Sequence, residues 1–234
     1  MALALNAKML PAVLSVIAGS VDAISFLGLG GLFTAHVTGN LVVLVANLAT
    51  GSRAPAANIL SVPIFWAALG LTRLLAGVLE RIGFVSLRPL LLLQLLLLVG
   101  FLALCAPAGA SVDQHATRAI IAGMFGVSAM AVQNALVQIS LRGVPSTDVT
   151  TTNITRFITD IGEMMFGRKL SDVARARERA MLTWPAIIGF AIGCGLGAAC
   201  EAAIGFMSLV LPVLLAVLAV ALGRNATIEE SEDP

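Results

Sequence analysis

The sequence predicts an all-α fold, a polytopic bundle of transmembrane helices forming one integral membrane domain over residues 1–234. Three observations carry that prediction. Hydrophobic residues make up 59% of the chain and charged residues only 12%, against roughly 25% charged in soluble domains. Mean hydropathy is +0.99. The apolar residues gather into eight segments, most of them near the ~20 residues a helix needs to cross the hydrocarbon. Six to eight of these segments are expected to span.

The first segment, near 10–29, carries Asp22 on a helical face with Ser15, Ala18, Gly19 and Ser25. Small residues at that spacing let another backbone come close. The carboxylate either sits within that contact or caps a turn before "GLGG". The run behind "MALALNAK" also has the outline of a signal peptide, but the polar motif continuing into the next segment favours an uncleaved helix. The second segment, 32–50, opens with "FTAHVTGN". On a continuous helix His36, Asn40 and Asn47 share one face, and Thr34 and Thr38 form a second stripe. Gly39 offers close backbone approach or a local break.

The third segment, 58–80, contains Arg73, whose stem either snorkels or meets a carboxylate such as Asp22. The fourth, 87–108, is nearly all leucine, and the fifth, 117–140, contains Gln133 and Asn134. The sixth, 148–167, is the most polar. Asp148, Thr152, Thr155, Arg156, Thr159, Asp160 and Glu163 occupy one half of its helical wheel, and Arg156 and Asp160 stand at ion-pair spacing. It is either a cavity wall or an amphipathic helix on the membrane surface. In the seventh segment, 180–204, Gly189, Gly193 and Gly197 recur every fourth residue, as in close helix packing; Glu201 continues the stripe. The eighth runs over 206–223, and the acidic tail 224–234 is short enough to fray.

The segments suggest two four-segment repeats, approximately 10–108 and 117–223. "SVDAISF" faces "AVQNALV", "FTAHVTGNLVVLVANL" faces "VTTTNITRFITDIGEM", Trp66 and Gly70 correspond to Trp184 and Gly189, and Pro89 corresponds to Pro212. Internal repeats are a common construction of secondary transporters. Three spanning segments per half would give inverted repeats; four would give parallel ones. Basic residues favour cytoplasmic loops, so the cluster Arg168, Lys169, Arg175, Arg177 and Arg179 is expected inside, with both termini. The remaining charges, Arg53, Arg81, Arg88, Arg118 and Arg142, leave the span count open.

Composition also excludes function classes. A net charge of +1 offers no electrostatic basis for binding nucleic acid. Cys105, Cys194 and Cys200 lie in apolar runs without metal-ligand spacing, which makes them packing residues. Neither His36 nor His115 has a catalytic context, and no phosphate loop or zinc motif is present. No enzyme activity, metal or cofactor is expected.

"AGSVDAISFLGLGGLFTAHVTGN" together with "VQNALV" and "TTTNITRFITDIG" resembles the YoaK family of multi-pass proteins of the bacterial inner membrane, a family of unknown function. The likeness covers nearly the whole chain. Its most specific parts are Asp22, Thr38-Gly39-Asn40 and Gln133-Asn134; Thr151, Thr152 and Thr155 match a further threonine motif in which Arg156 replaces a glycine. The resemblance implies a polytopic helical protein in the cytoplasmic membrane and supplies no substrate.

The residues themselves point to a carrier of an unidentified small solute. Asp22, His36, Thr38, Asn40, Gln133, Asn134, Thr152, Thr155 and Asp160 are the candidate binding groups, and coupling to protons would pass through a carboxylate. The alternative is a non-transporting scaffold or sensor whose basic stretch 168–179 docks lipid or a partner. The bilayer is the expected partner in both cases, and a homo-oligomer is compatible with either.

Overall fold

The computed structural model describes residues 2–51, 56–108, 116–141, 147, 150–167 and 169–229. Arg53, His115, Arg142, Asp148, Arg168 and the end of the acidic tail, 230–234, lie outside the described residues.

Among the described residues, eight α-helices follow in order: α1 (Ala2–Gly28), α2 (Val37–Ala49), α3 (Ala56–Arg81), α4 (Leu87–Cys105), α5 (Thr117–Ser140), α6 (Thr150–Phe166), α7 (Leu170–Ile204) and α8 (Val210–Glu229). No strand occurs among the described residues. Five stretches of the described residues are long and apolar enough to cross a membrane: Met9–Gly28, Ala56–Arg81, Leu87–Cys105, Thr117–Ser140 and Leu170–Gly223. The last covers both α7 and α8, which separate at a 3-10 turn beginning with Gly205, at φ +58°. The two short helices differ. α2, at 13 residues, reaches only about 20 Å, less than the ~30 Å hydrocarbon core. α6 has 17 residues and a mixed polar surface. Neither is among the candidate spans.

Burial ranks the helices. In α1 and α5, 72% of the span is buried, against 11% in α3. Helices that are apolar all round form the centre of a bundle, and these two do so here. α1 packs on α7 and α8; α5 packs on α3 and α4; α4 meets α8; α2 leans on α3, and α6 on α7. Trp66, Leu71 and Leu74 on α3 project outward, each about two-thirds or more exposed. So large an apolar exterior suits lipid rather than water.

The glycine stripe of α7 works as its spacing predicts. A Cβ on Gly193 would stand 2.3 Å from the carbonyl oxygen of Val16, and one on Gly197 2.7 Å from that of Ser20. Gly19 on α1 returns the contact, its Cβ position lying 2.2 Å from the Phe190 carbonyl oxygen. Only glycine permits this crossing. The small face around Asp22 therefore meets another backbone, as its composition anticipated. Ser15 and Ser25 spend their hydroxyls on carbonyls of their own helix, Pro11 and Asp22.

Candidate functional site

The first polar cluster is built by a chain reversal. Gly30 and Gly31, at φ +69° and +81°, adopt the left-handed backbone that turns the chain after α1. Residues 33–36 then fold back beside α1. Oδ1 of Asp22 accepts hydrogen bonds from the Thr34 amide at 2.7 Å, the Ala35 amide at 2.6 Å and the Thr34 hydroxyl at 3.0 Å. Oδ2 lies 2.6 Å from Nδ1 of His36. Asp22 is 3% exposed. Its partners are thus the turn and His36, not Arg73, which lines a different cavity.

The helical wheel misplaced His36. α2 starts at Val37, so His36 precedes it as the N-cap residue and shares no helical face with Asn40 and Asn47. The reversal bends the chain toward Asp22 before the helix begins, which breaks the assumed periodicity.

Asn40 serves the same turn. Its Oδ1 accepts from the Phe33 amide at 2.8 Å, while Nδ2 donates to the Phe33 carbonyl at 2.7 Å and the Ser61 hydroxyl at 2.8 Å. It is fully buried. Asn58 on α3 donates to the Gly31 carbonyl and to Asn40 Oδ1, joining α3 to the clamp. Gly39 permits close approach rather than a break, because a Cβ there would meet the Phe33 ring at 2.8 Å.

On α5, Gln133 is a second buried polar tie. Its Nε2 donates to the Leu14 carbonyl and to the Thr147 hydroxyl, both at 2.9 Å, and its Oε1 accepts from Gln94 at 2.7 Å. Three helices and the segment before α6 are thereby tied together. A buried amide satisfied on several sides fixes one packing arrangement.

Groups from both halves meet in a cavity of about 450 Å³ between α2, α3, α5 and α6. His36, Thr38, Asn134, Gln138 and Thr151 supply its polar wall; Phe65 and Trp66 supply apolar surface. Of the residues singled out in the sequence, His36, Thr38 and Asn134 converge here. Asp22 stands behind His36, and Asn40 and Gln133 are structural ties.

The sixth segment departs from expectation. Thr152, Thr155 and Thr159 are exposed, and Thr155 and Thr159 donate to carbonyls of their own helix, Thr151 and Thr155. Thr151, one position earlier, is the threonine of α6 that reaches the shared cavity. Asp160 pairs with Arg179 of α7, which donates through Nε at 3.0 Å and Nη2 at 2.5 Å to Oδ1, and not with Arg156. The wheel weighs neighbours on one helix only, whereas Asp160 faces α7 and is 5% exposed. The pair lines a separate cavity of about 280 Å³ with Thr155, Arg156, Thr159 and Thr183. Asn40 and Asp160 therefore share no cavity.

Several participants had escaped attention. Gln94 had a visible signal, as the lone polar residue in "LLLLQLLLLV". Gln138 and Phe190 gave none, because their relevance depends on which helices meet. Glu201 accepts from Ser208 at 2.7 Å across the α7–α8 corner and is a local tie.

No curated protein and no solved structure matches the chain. The sequence model of one family, described as a protein of unknown function, matches residues 10–222. The chain, a membrane-type helical bundle, belongs to that family, DUF1275.

Proposed function

We propose that the protein is a secondary carrier that moves a small solute across the membrane in which it sits, with exchange of a proton at Asp22 and His36. The observation that carries this reading is the cavity of about 450 Å³ whose polar wall comes from α2, α5 and α6, and so from both halves of the chain. A cavity of this size falls in the range of small-molecule sites. The YoaK-like motifs extend the proposal to the bacterial inner membrane.

Helix packing supports an inverted repeat behind this cavity. Advancing every helix by four positions turns α1 on α7 into α5 on α3, and α2 on α3 into α6 on α7; α4 on α8 maps to itself. Each half runs as a long helix, a short one and two more long helices, so three spans per half leave the second half inverted. Asp22 holds Thr34 before α2, as Gln133 holds Thr147 before α6. Matching the helix starts pairs Asn40 with Asn153, both buried, in a register shifted from the one the sequences suggest.

The two equivalent contacts differ in state. α1 meets α7 backbone to backbone at Gly19, Gly193 and Gly197, with a cavity of about 460 Å³ only beside that contact. Between α3 and α5 lie the shared cavity and a second one, about 580 Å³, lined by Trp66, Gly70, Arg73 and Gln138. Rocking one half against the other would exchange the open and shut contacts, which is alternating access. Asp22 and His36 suit proton exchange because His36 lines the shared cavity and Asp22 bonds its ring. Among the described residues, the other titratable group lining a cavity with His36 is Cys194 on α7.

The test is solute-driven proton movement. Purified protein is reconstituted with a pH-sensitive dye inside the vesicles, and amino acids, sugars, organic anions and amines are added in turn outside. At least one class should move protons through the wild type and not through Asp22→Asn. The same proton leak in both, whatever is added, removes the carrier reading.

A further inference from the structure

On the far side of His36 lies a further cavity, about 460 Å³, between α1 and α7. Three phenylalanines and one carboxylate shape it: Phe26, Phe33, Phe190 and Asp22. Phe26 and Phe33 stand with ring centroids 4.7 Å apart, and the Phe190 ring is 5.1 Å edge-on from the His36 imidazole. We infer that this cavity binds an organic monocation, an alkyl- or arylammonium with a hydrophobic body.

The inference follows from charge and surface together. Aromatic faces attract cations through the ring quadrupole, most strongly where water is excluded. When the imidazole is neutral and donates from Nδ1, the Asp22–His36 pair carries one negative charge. Among the described residues no lysine or arginine lines the cavity, so that charge has no fixed counter-ion on this wall. An inorganic cation would want several oxygen ligands; only one carboxylate is here, and both its oxygens already accept hydrogen bonds. A large cation needing charge balance and aromatic contact fits this wall; a small hydrated one does not. Phe26 and Leu27 on the rim are 40% and 53% exposed, which opens the cavity toward the lipid side, where an amphipathic amine would partition. This site deepens the carrier reading by naming a substrate class and rests on that reading only for its transport role.

The experiment measures binding of radiolabelled benzyltrimethylammonium to the purified full chain in detergent. Saturable binding is expected, with no competition from neopentylbenzene, which has the same shape without the charge. Phe190→Leu should bind about tenfold more weakly, and Asp22→Asn should bind more weakly still while eluting as folded protein. Phe26→Leu alters a rim residue that is 40% exposed, and a several-fold loss there supports the site even if Asp22→Asn fails to fold. Equal competition by neopentylbenzene, undiminished binding by the two phenylalanine variants, or absence of saturable binding overturns the inference. Binding without flux in vesicles keeps this site and sinks the carrier; flux of other solutes by a protein that does not bind the cation sinks this site alone.

Discussion

Nδ1 of His36 lies 2.6 Å from Oδ2 of Asp22, across a chain reversal that brings residues 14 positions apart into contact. The other oxygen of the same carboxylate holds the backbone of Thr34 and Ala35. One residue therefore serves both the fold and the proposed proton exchange, and the two roles separate by substitution. Asn retains an oxygen that can accept from those amides; Ala does not. Asp22→Asn is expected to fold and to lose proton-coupled flux. Asp22→Ala should be destabilised by roughly 1–3 kcal/mol for each buried amide left unpaired. Thermal unfolding in detergent, read beside flux, checks the pair of outcomes. Equal loss of folded protein in both variants would make Asp22 a packing residue only.

Asp160 and Arg179 make a second separable prediction. Arg179 is 59% exposed in its side chain, so solvent screening keeps the contribution of the pair small. Asp160→Asn and Arg179→Gln should each lower the unfolding midpoint by a few degrees, and the double variant should cost little more than either alone. Arg156→Gln should leave it unchanged. A drop with Arg156→Gln matching that of Arg179→Gln would restore the ion pair that the sequence spacing suggests.

The glycines distinguish the shut contact from the open one. Gly193→Leu places side-chain atoms against the Val16 backbone, which cannot withdraw, and folded yield should collapse. Nothing stands within 4 Å of the Cβ position of Gly70. Gly70→Leu should therefore fold with a stability change within about 0.5 kcal/mol. In a rocking carrier it would nonetheless obstruct closure of α3 on α5, so flux should stop while stability holds. Normal flux in a folded Gly70→Leu protein would contradict the exchange of contacts.

Orientation is the fourth prediction. Lys169, Arg175 and Arg177 are exposed near the start of α7, and loops rich in basic residues stay in the cytoplasm. In a background with Cys105, Cys194 and Cys200 replaced, Ser171→Cys should resist an impermeant thiol reagent applied to intact cells and react after permeabilisation. Rapid labelling from outside would reverse the assigned orientation.

Hydrophobic run length and composition determined the helical membrane-type architecture, because a backbone crossing hydrocarbon must satisfy its own hydrogen bonds and a helix does so locally. The same local physics made the stripe Gly189, Gly193 and Gly197 legible as a packing face, and marked Asp22, Asn40 and Gln133 as polar groups that needed partners. Which partners they took was decided only in three dimensions. A helical wheel ranks neighbours within one helix, yet Asp160 turned to Arg179 on α7, His36 left its helix to meet Asp22, and Asn40 closed on Phe33 and Ser61. Thr152 stayed outside and Thr155 lines the cavity at Asp160, while Thr151 reached the one shared with His36. A buried polar group takes whichever satisfied geometry the packed helices offer, and helix crossings set by glycine contacts between α1 and α7 appear nowhere in the linear order of residues.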